Sequence, residues 1–119
     1  MSHTKPPIDW SHCLQRCNNN ATLAHDLLNM LAKELPQNKL AIQQAQKESS
    51  NANLQQHIHK LHGACACCGA DSLQRMLAQL ENKLSQQQTL SQQTINALLD
   101  EIDRTLLAIQ TTSYLSAAS

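Results

Sequence analysis

Residues 57–69 read His-Ile-His-Lys-Leu-His-Gly-Ala-Cys-Ala-Cys-Cys-Gly. They hold three of the six histidines, three of the five cysteines and both glycines of the 119-residue chain. Imidazoles and thiolates are the ligands that Zn²⁺ and Cu(I) prefer. A solvent-facing imidazole with a free nitrogen is also a nucleophile near neutral pH, because its unperturbed pKa is about 6.5. Two chemistries are therefore in play. One is a metal site drawn from His57, His59, His62, Cys65, Cys67 and Cys68; the other uses a single histidine for covalent group transfer.

Helical spacing separates these candidates. At about 100° per residue, Leu54, Ile58, Leu61, Cys65 and Cys68 fall within a sector of roughly 80°, the stripe a bundle helix buries. Cys65 and Cys68 then read as small core residues, and Cys67 projects to the far side as a solvent-facing bystander. His59 points about 140° from the stripe centre, with Gly63 one turn on and Ala66 two turns on. A helix interior favours Ala over Gly by about 1 kcal/mol, so Gly63 reads as a position kept open for access to His59. A packing contact at Gly63 is the alternative. His62 lies about 80° from the stripe centre, within side-chain reach of His59 at i+3. His57 sits on the opposite flank, toward a neighbouring helix. The spacing argues against a zinc site, since Cys65 and Cys68 turn inward, Cys67 turns away, and no second cysteine pair with finger spacing exists.

The elements that must carry this segment are helical. Apolar residues make up 41% of the chain, with one Trp, one Tyr and no Phe, so the core is built from Leu, Ile, Ala, Met and Cys. A short helix is predicted from Asp9 to about Cys17, followed by an Asn18-Asn19-Asn20 turn. Helical spacing at Leu23, Leu27, Leu28, Met30, Leu31 and Leu35 continues through Lys39 and Ile42. This favours one long helix to about Lys47, kinked at Pro36, over a break into two. The cluster helix is expected over about 52–68 and is stopped by Gly69. A further helix, capped by Asp71 or Ser72, buries Leu73, Met76, Leu77, Leu80 and Leu84. After a Gln-rich turn, the last helix carries Ile95, Leu98, Leu99, Ile102, Leu106 and Ile109. The expectation is an all-α, antiparallel up-and-down four-helix bundle over residues 8–112 with a short extra N-terminal helix. Residues 1–7 are read as a disordered lead-in and 113–119 as a frayed tail.

Bulk properties exclude other classes. Nine basic and nine acidic residues give zero formal net charge, with no basic stripe for nucleic acid. No apolar run approaches the roughly 20 residues that span a bilayer, and no signal peptide is visible. Five cysteines are an odd number, and three of them crowd into four positions of one segment, which points to reduced thiols in the cytoplasm. No Gly-rich phosphate loop, no paired acids beside His59 and no ATP-binding segment are present, so the chain does not phosphorylate itself from ATP.

The run His59-Lys60-Leu61-His62-Gly63, followed by Gly69, resembles the core motif of the histidine-containing phosphotransfer (HPt) domain, His-x-Leu-Lys-Gly with a second glycine six residues on. The resemblance covers roughly residues 8–110. It looks particularly like the C-terminal HPt domain of BarA-type hybrid sensor kinases, to which Ile8-Asp9-Trp10 and Leu35-Pro36 are similar too. It implies a relay in which His59 accepts a phosphoryl group from a receiver-domain aspartate and passes it to the aspartate of a response regulator. His62 stands where the family usually has lysine and is a helper only when protonated. Docking is expected on Gln55, Gln56, Gly63 and Ala66 around His59, with the last bundle helices as structural support. The domain itself is expected to need no cofactor, Mg²⁺ belonging to the receivers. It is expected to be a monomer, cytoplasmic or at the cytoplasmic end of an inner-membrane sensor kinase, and part of a larger sensor. The alternative reading remains a His/Cys-rich helical metal-binding protein.

Overall fold

The computed structural model describes residues 7–66 and 68–118, with side chains described as far as Thr111. Its elements are α1 (Trp10–Arg16), α2 (Ala21–Lys47), α3 (Asn51–Ala66), α4 (Asp71–Ser85) and α5 (Gln92–Ala118), with no strand among the described residues. Polar side chains cap the starts of α1, α2, α3 and α5. The Asp9 carboxylate accepts from the His12 backbone N–H at 3.0 Å, and the Asn20 side chain from that of Leu23 at 3.0 Å. Ser50 and Ser91 hydroxyls do the same for Asn53 and Thr94 at the starts of α3 and α5. Between α1 and α2, Asn18 and Asn19 take left-handed backbone conformations (φ 54° and 60°), which asparagine tolerates better than most residues.

Helix α2 runs unbroken through Pro36. The ring lies on the exposed side, so the lost hydrogen bond falls where water can serve the freed carbonyl. The apolar stripe of α2 is Ala24, Leu28, Leu31, Leu35, Ile42 and Ala45. Leu23 and Met30 are not part of it; they are 44% and 58% exposed because they lie about 100–120° off its centre.

Helices α2, α3, α4 and α5 each pack on their chain neighbour, and α5 closes the ring on α2. With connectors this short, successive neighbours run antiparallel. The core is aliphatic throughout: Leu28, Leu31, Leu35 and Ile42 meet Ile58 and Leu61, Leu73 and Leu77, and Ile95, Leu98, Ile102 and Ile109. Inside it the Thr105 hydroxyl donates to the Glu101 carbonyl at 2.7 Å, so burying it leaves no polar atom unmet. Lys39, off the stripe, reaches across to Asp103 at 2.8 Å and ties α2 to α5.

Helix α1 lies over one end of the bundle, and Gly69 is its anchor. Gly69 has φ +71°, and its carbonyl accepts from the Asp9 N–H at 3.0 Å. A Cβ there would meet the Asp9 oxygen and the Cys13 nitrogen, both at 2.9 Å. Gly69 therefore does more than end a helix: it lets the α1 backbone approach. Neither Asp71 nor Ser72 caps α4. Ala70 is the N-cap, without a side-chain bond, because the Asp71 carboxylate faces α1 and meets His12 Nδ1 at 2.8 Å.

Cys13, Cys17, Cys65 and Cys68 are free and buried. Burial, reinforced by Cys17, pushes the Cys13 thiol up to about 11; burial, with Cys68 nearby, pushes Cys65 up to about 12. Cys67 and the lead-in up to residue 6 lie outside the described residues. Of the expected tail, 113–119, only the backbone to Ala118 is described.

Candidate functional site

The stripe expected on α3 is the stripe it buries: Leu54, Ile58, Leu61 and Cys65 are 4%, 0%, 1% and 0% exposed, and Cys68 just beyond is 4% exposed. That fixes the opposite phase. The His59 side chain is 74% exposed, with Gln56, Lys60 and Gly63 also exposed, and Gln55, His57, His62 and Ala66 half-buried on the flanks. A Cβ placed on Gly63 would find no atom within 4 Å. No packing contact among the described residues requires glycine there, and the open side of α3 beside His59 is not filled by them.

The structure adds a residue that sequence reasoning missed. Glu81, on α4, bonds both histidines: one carboxylate oxygen meets His59 Nδ1, and the other meets His62 Nδ1 at 2.9 Å. Burial works to raise the Glu81 carboxyl, but hydrogen bonds from the two imidazoles, with their charge, outweigh it and hold it below the usual carboxylate value. An ionised carboxylate can only accept. Both Nδ1 atoms must then carry hydrogen, and a neutral His59 has its lone pair on Nε2. That nitrogen has no partner among the described residues, on a ring three-quarters exposed. One acid, not a pair, thus serves this histidine, and α4 is more than support. A signal was available: folding α3 and α4 back about Gly69 places His59, ten residues before it, near Glu81, twelve after.

The metal candidates do not converge. Cys65 and Cys68 are in the core, where the Cys68 thiol lies 3.6 Å from the Leu27 carbonyl. His57 lines a different groove, with Lys60 and Glu34. Among the described candidates only His59 and His62 come together, on Glu81. Among the described residues, three or more His, Cys, Asp or Glu ligand atoms lie within 4.8 Å of one another only at Asp9, His12 and Asp71, which include none of the six.

Comparison with known proteins agrees with this geometry. The Hpt domain family matches residues 26–108. The signal transduction histidine-protein kinase BarA of Escherichia coli K12 is 28% identical over 99 residues, covering 81% of this chain and 11% of BarA. The sensor histidine kinase GacS of Pseudomonas protegens is 30% identical over 99 residues, covering 83% of this chain and 10% of GacS. This chain thus spans about a tenth of the length of these curated relatives. The crystal structure of the HPT domain from a sensor hybrid histidine kinase of Shewanella superposes with a TM-score of 0.84 at 32% identity, covering 89% of this chain and 92% of that one. A four-helix bundle with a solvent-facing histidine midway along its second long helix, matched over most of its length, places the chain in the Hpt domain family of histidine phosphotransfer proteins.

Proposed function

We propose that His59 is the phosphoacceptor of a two-component phosphorelay and that Glu81 sets its reactive nitrogen. The carrying observation is the Nδ1–Glu81 bond on a ring that is otherwise open to solvent. The Nε2 lone pair attacks the phosphorus of a receiver's aspartyl phosphate. The N–P bond forms as the P–O bond breaks, and the aspartate leaves as carboxylate. No proton need depart, because the ring takes up positive charge and keeps its Nδ1–H on Glu81. The carboxylate opposes that charge, as the buried acid does beside a catalytic imidazole in hydrolases. Return of the phosphoryl group to a response-regulator aspartate reverses each step.

The receiver docks around His59, over Gln55, Gln56, Gly63 and Ala66. Gly63 leaves room for its aspartate to come within bonding distance. Mg²⁺ and the acidic pocket belong to the receivers, and this domain carries the phosphoryl group without a cofactor of its own. His62, sharing Glu81 with His59, stands where a fixed positive charge is usual and acts as a helper in its protonated form. No helix among the described residues is long and apolar enough to cross a membrane, which fits a domain working on the cytoplasmic side.

The test is incubation with a labelled, phosphorylated receiver domain. Acid-labile label on the wild type, and none on a folded His59→Gln variant, is the expected result. Label persisting on that variant reassigns the acceptor to His57 or His62.

A further inference from the structure

One carboxylate holds two imidazoles at the α3–α4 edge. The Nδ1 atoms of His59 and His62 meet separate oxygens of Glu81, and neither Nε2 has a hydrogen-bond partner among the described residues. The two rings differ in setting. His59 is 74% exposed, whereas His62 is 30% exposed and lines a groove between α1 and α4. The charged and titratable groups facing His62 there are His12 and Arg16 from α1 and Asp71 and Arg75 from α4. Glu81 is in contact with it, and His59 lies one turn back on its own helix. Asp71 is itself bonded to His12 at 2.8 Å. Asp71 and Glu81 offset the two guanidinium groups, so near neutral pH the charge of this edge changes only when an imidazole titrates.

Phosphoryl transfer disturbs that balance. As the N–P bond to His59 forms and the P–O bond of the aspartyl phosphate breaks, the aspartate leaves as carboxylate. This domain gains one net negative charge, about two on the phosphoryl oxygens against one positive on the ring. His59 then carries phosphorus on Nε2 and hydrogen on Nδ1, and has no nitrogen left for a proton. His62 does, at Nε2, and residues at i and i+3 on a helix stand about 5–6 Å apart. We propose that His62 binds a proton from solvent as His59 is phosphorylated, so that retention of the phosphoryl group on His59 rises as pH falls. The proposal rests on the reading of His59 given above. A lysine at this position, usual in the family, stays charged throughout the physiological range and gives retention no such dependence. The coupling is reciprocal: the factor by which phosphorylation favours the proton on His62 is the factor by which that proton favours the phosphoryl group on His59.

The experiment measures the transfer equilibrium with the labelled, phosphorylated receiver domain of a BarA-type hybrid kinase, at about pH 6 and about pH 8, either side of the ordinary imidazole range. Wild type is compared with His62→Gln, which keeps a donor for Glu81 but binds no proton, with His62→Lys and with His12→Gln. Each equilibrium constant is divided by that of His62→Gln at the same pH, which removes the titration of the receiver. The wild-type ratio should be about fivefold greater at the lower pH, the low end of coupling between sites because His62 is partly open to water. The lysine variant should exceed His62→Gln by the same factor at both pH values, and His12→Gln should follow wild type. Parallel wild-type and His62→Gln profiles overturn the linkage and leave the relay standing. A pH dependence lost in His12→Gln instead belongs to the other imidazole of the groove and overturns the proposal too. Absence of label on wild-type His59 overturns both readings. Should His62→Gln fail to fold, long-range ¹⁵N–¹H spectra of the wild type decide. The His62 titration should move to higher pH when His59 is phosphorylated, and an unmoved titration refutes the linkage.

Discussion

In the proposed relay the chemistry at His59 depends on which ring nitrogen carries hydrogen, and Glu81, bonded to Nδ1, is the residue placed to set it. Glu81→Ala should lower the transfer rate about tenfold, well short of the roughly 10⁴-fold seen when an imidazole is locked in the wrong tautomer. Long-range ¹⁵N–¹H spectra are the readout that a merely structural role would not move. The His59 Nδ1–H tautomer should dominate in the wild type and give way to a mixture in the variant; an unchanged tautomer refutes the assignment. The same carboxyl has a signature in stability. Its folded pKa is depressed, so its contribution is full above the unfolded value and is lost as pH falls through the folded one. The stability gap between wild type and Glu81→Gln, read from urea midpoints, should therefore hold above pH 4.5, the ordinary carboxyl value, and shrink below it. On a side chain 23% exposed, the gap is expected to stay under about 1 kcal/mol.

At the scale of elements, the two glycines have opposite requirements. Gly63 meets open space and has no need of left-handed backbone. Gly63→Ala should raise helix stability by up to about 1 kcal/mol, while Gly63→Leu should fold yet block transfer by covering the approach to His59. Normal transfer by the leucine variant would refute the access argument. Gly69 combines φ +71° with α1 backbone atoms 2.9 Å from any Cβ. Gly69→Ala should cost about 2 kcal/mol or more, about 8 °C in Tm for a domain of this size, and should loosen α1. Trp10 reports on that directly, since its ring lies 4.8 Å from that of His25 on α2, and its fluorescence should change in parallel. The helix phases themselves were legible in sequence. Leu54, Ile58, Leu61 and Cys65 needed only the helical period, as did the exposure of His59. The caps of α4 were not legible, because Asp71 is claimed by His12, 59 residues away in the chain.

The whole molecule is held by one aliphatic core with four described thiols inside it. Ile58→Ala, at a side chain with no exposure beneath the His59 face, should destabilise by about 2–5 kcal/mol. Disruption there should reach transfer as well as Tm, because Ile58 sets the rotation of α3 that exposes His59. Burial raises Cys13 to about 11 and Cys65 to about 12, which leaves almost no thiolate at pH 8. Cys13 and Cys65 should therefore resist Ellman's reagent in the native protein, Cys17 and Cys68 should resist it because each is only 4% exposed, and all four should react together on unfolding in urea. Rapid native-state labelling of these four would mean that α1 does not cover them.

The sequence by itself determined the class of fold, the buried stripe of α3 and the exposed position of His59, since each follows from spacing within one helix and one motif. It also argued against one metal site across the cluster, because the inward Cys65 and Cys68 and the outward His59 cannot share an ion. Only the tertiary structure decided what surrounds that histidine. Glu81 is one of nine acidic residues, and nothing within its own helix marks it. Its place beside His59 and His62 depends on how α4 is rotated and slid against α3. That register is set by packing across the whole bundle, with Gly69 as the contact that lets α1 settle, and no single helix carries it.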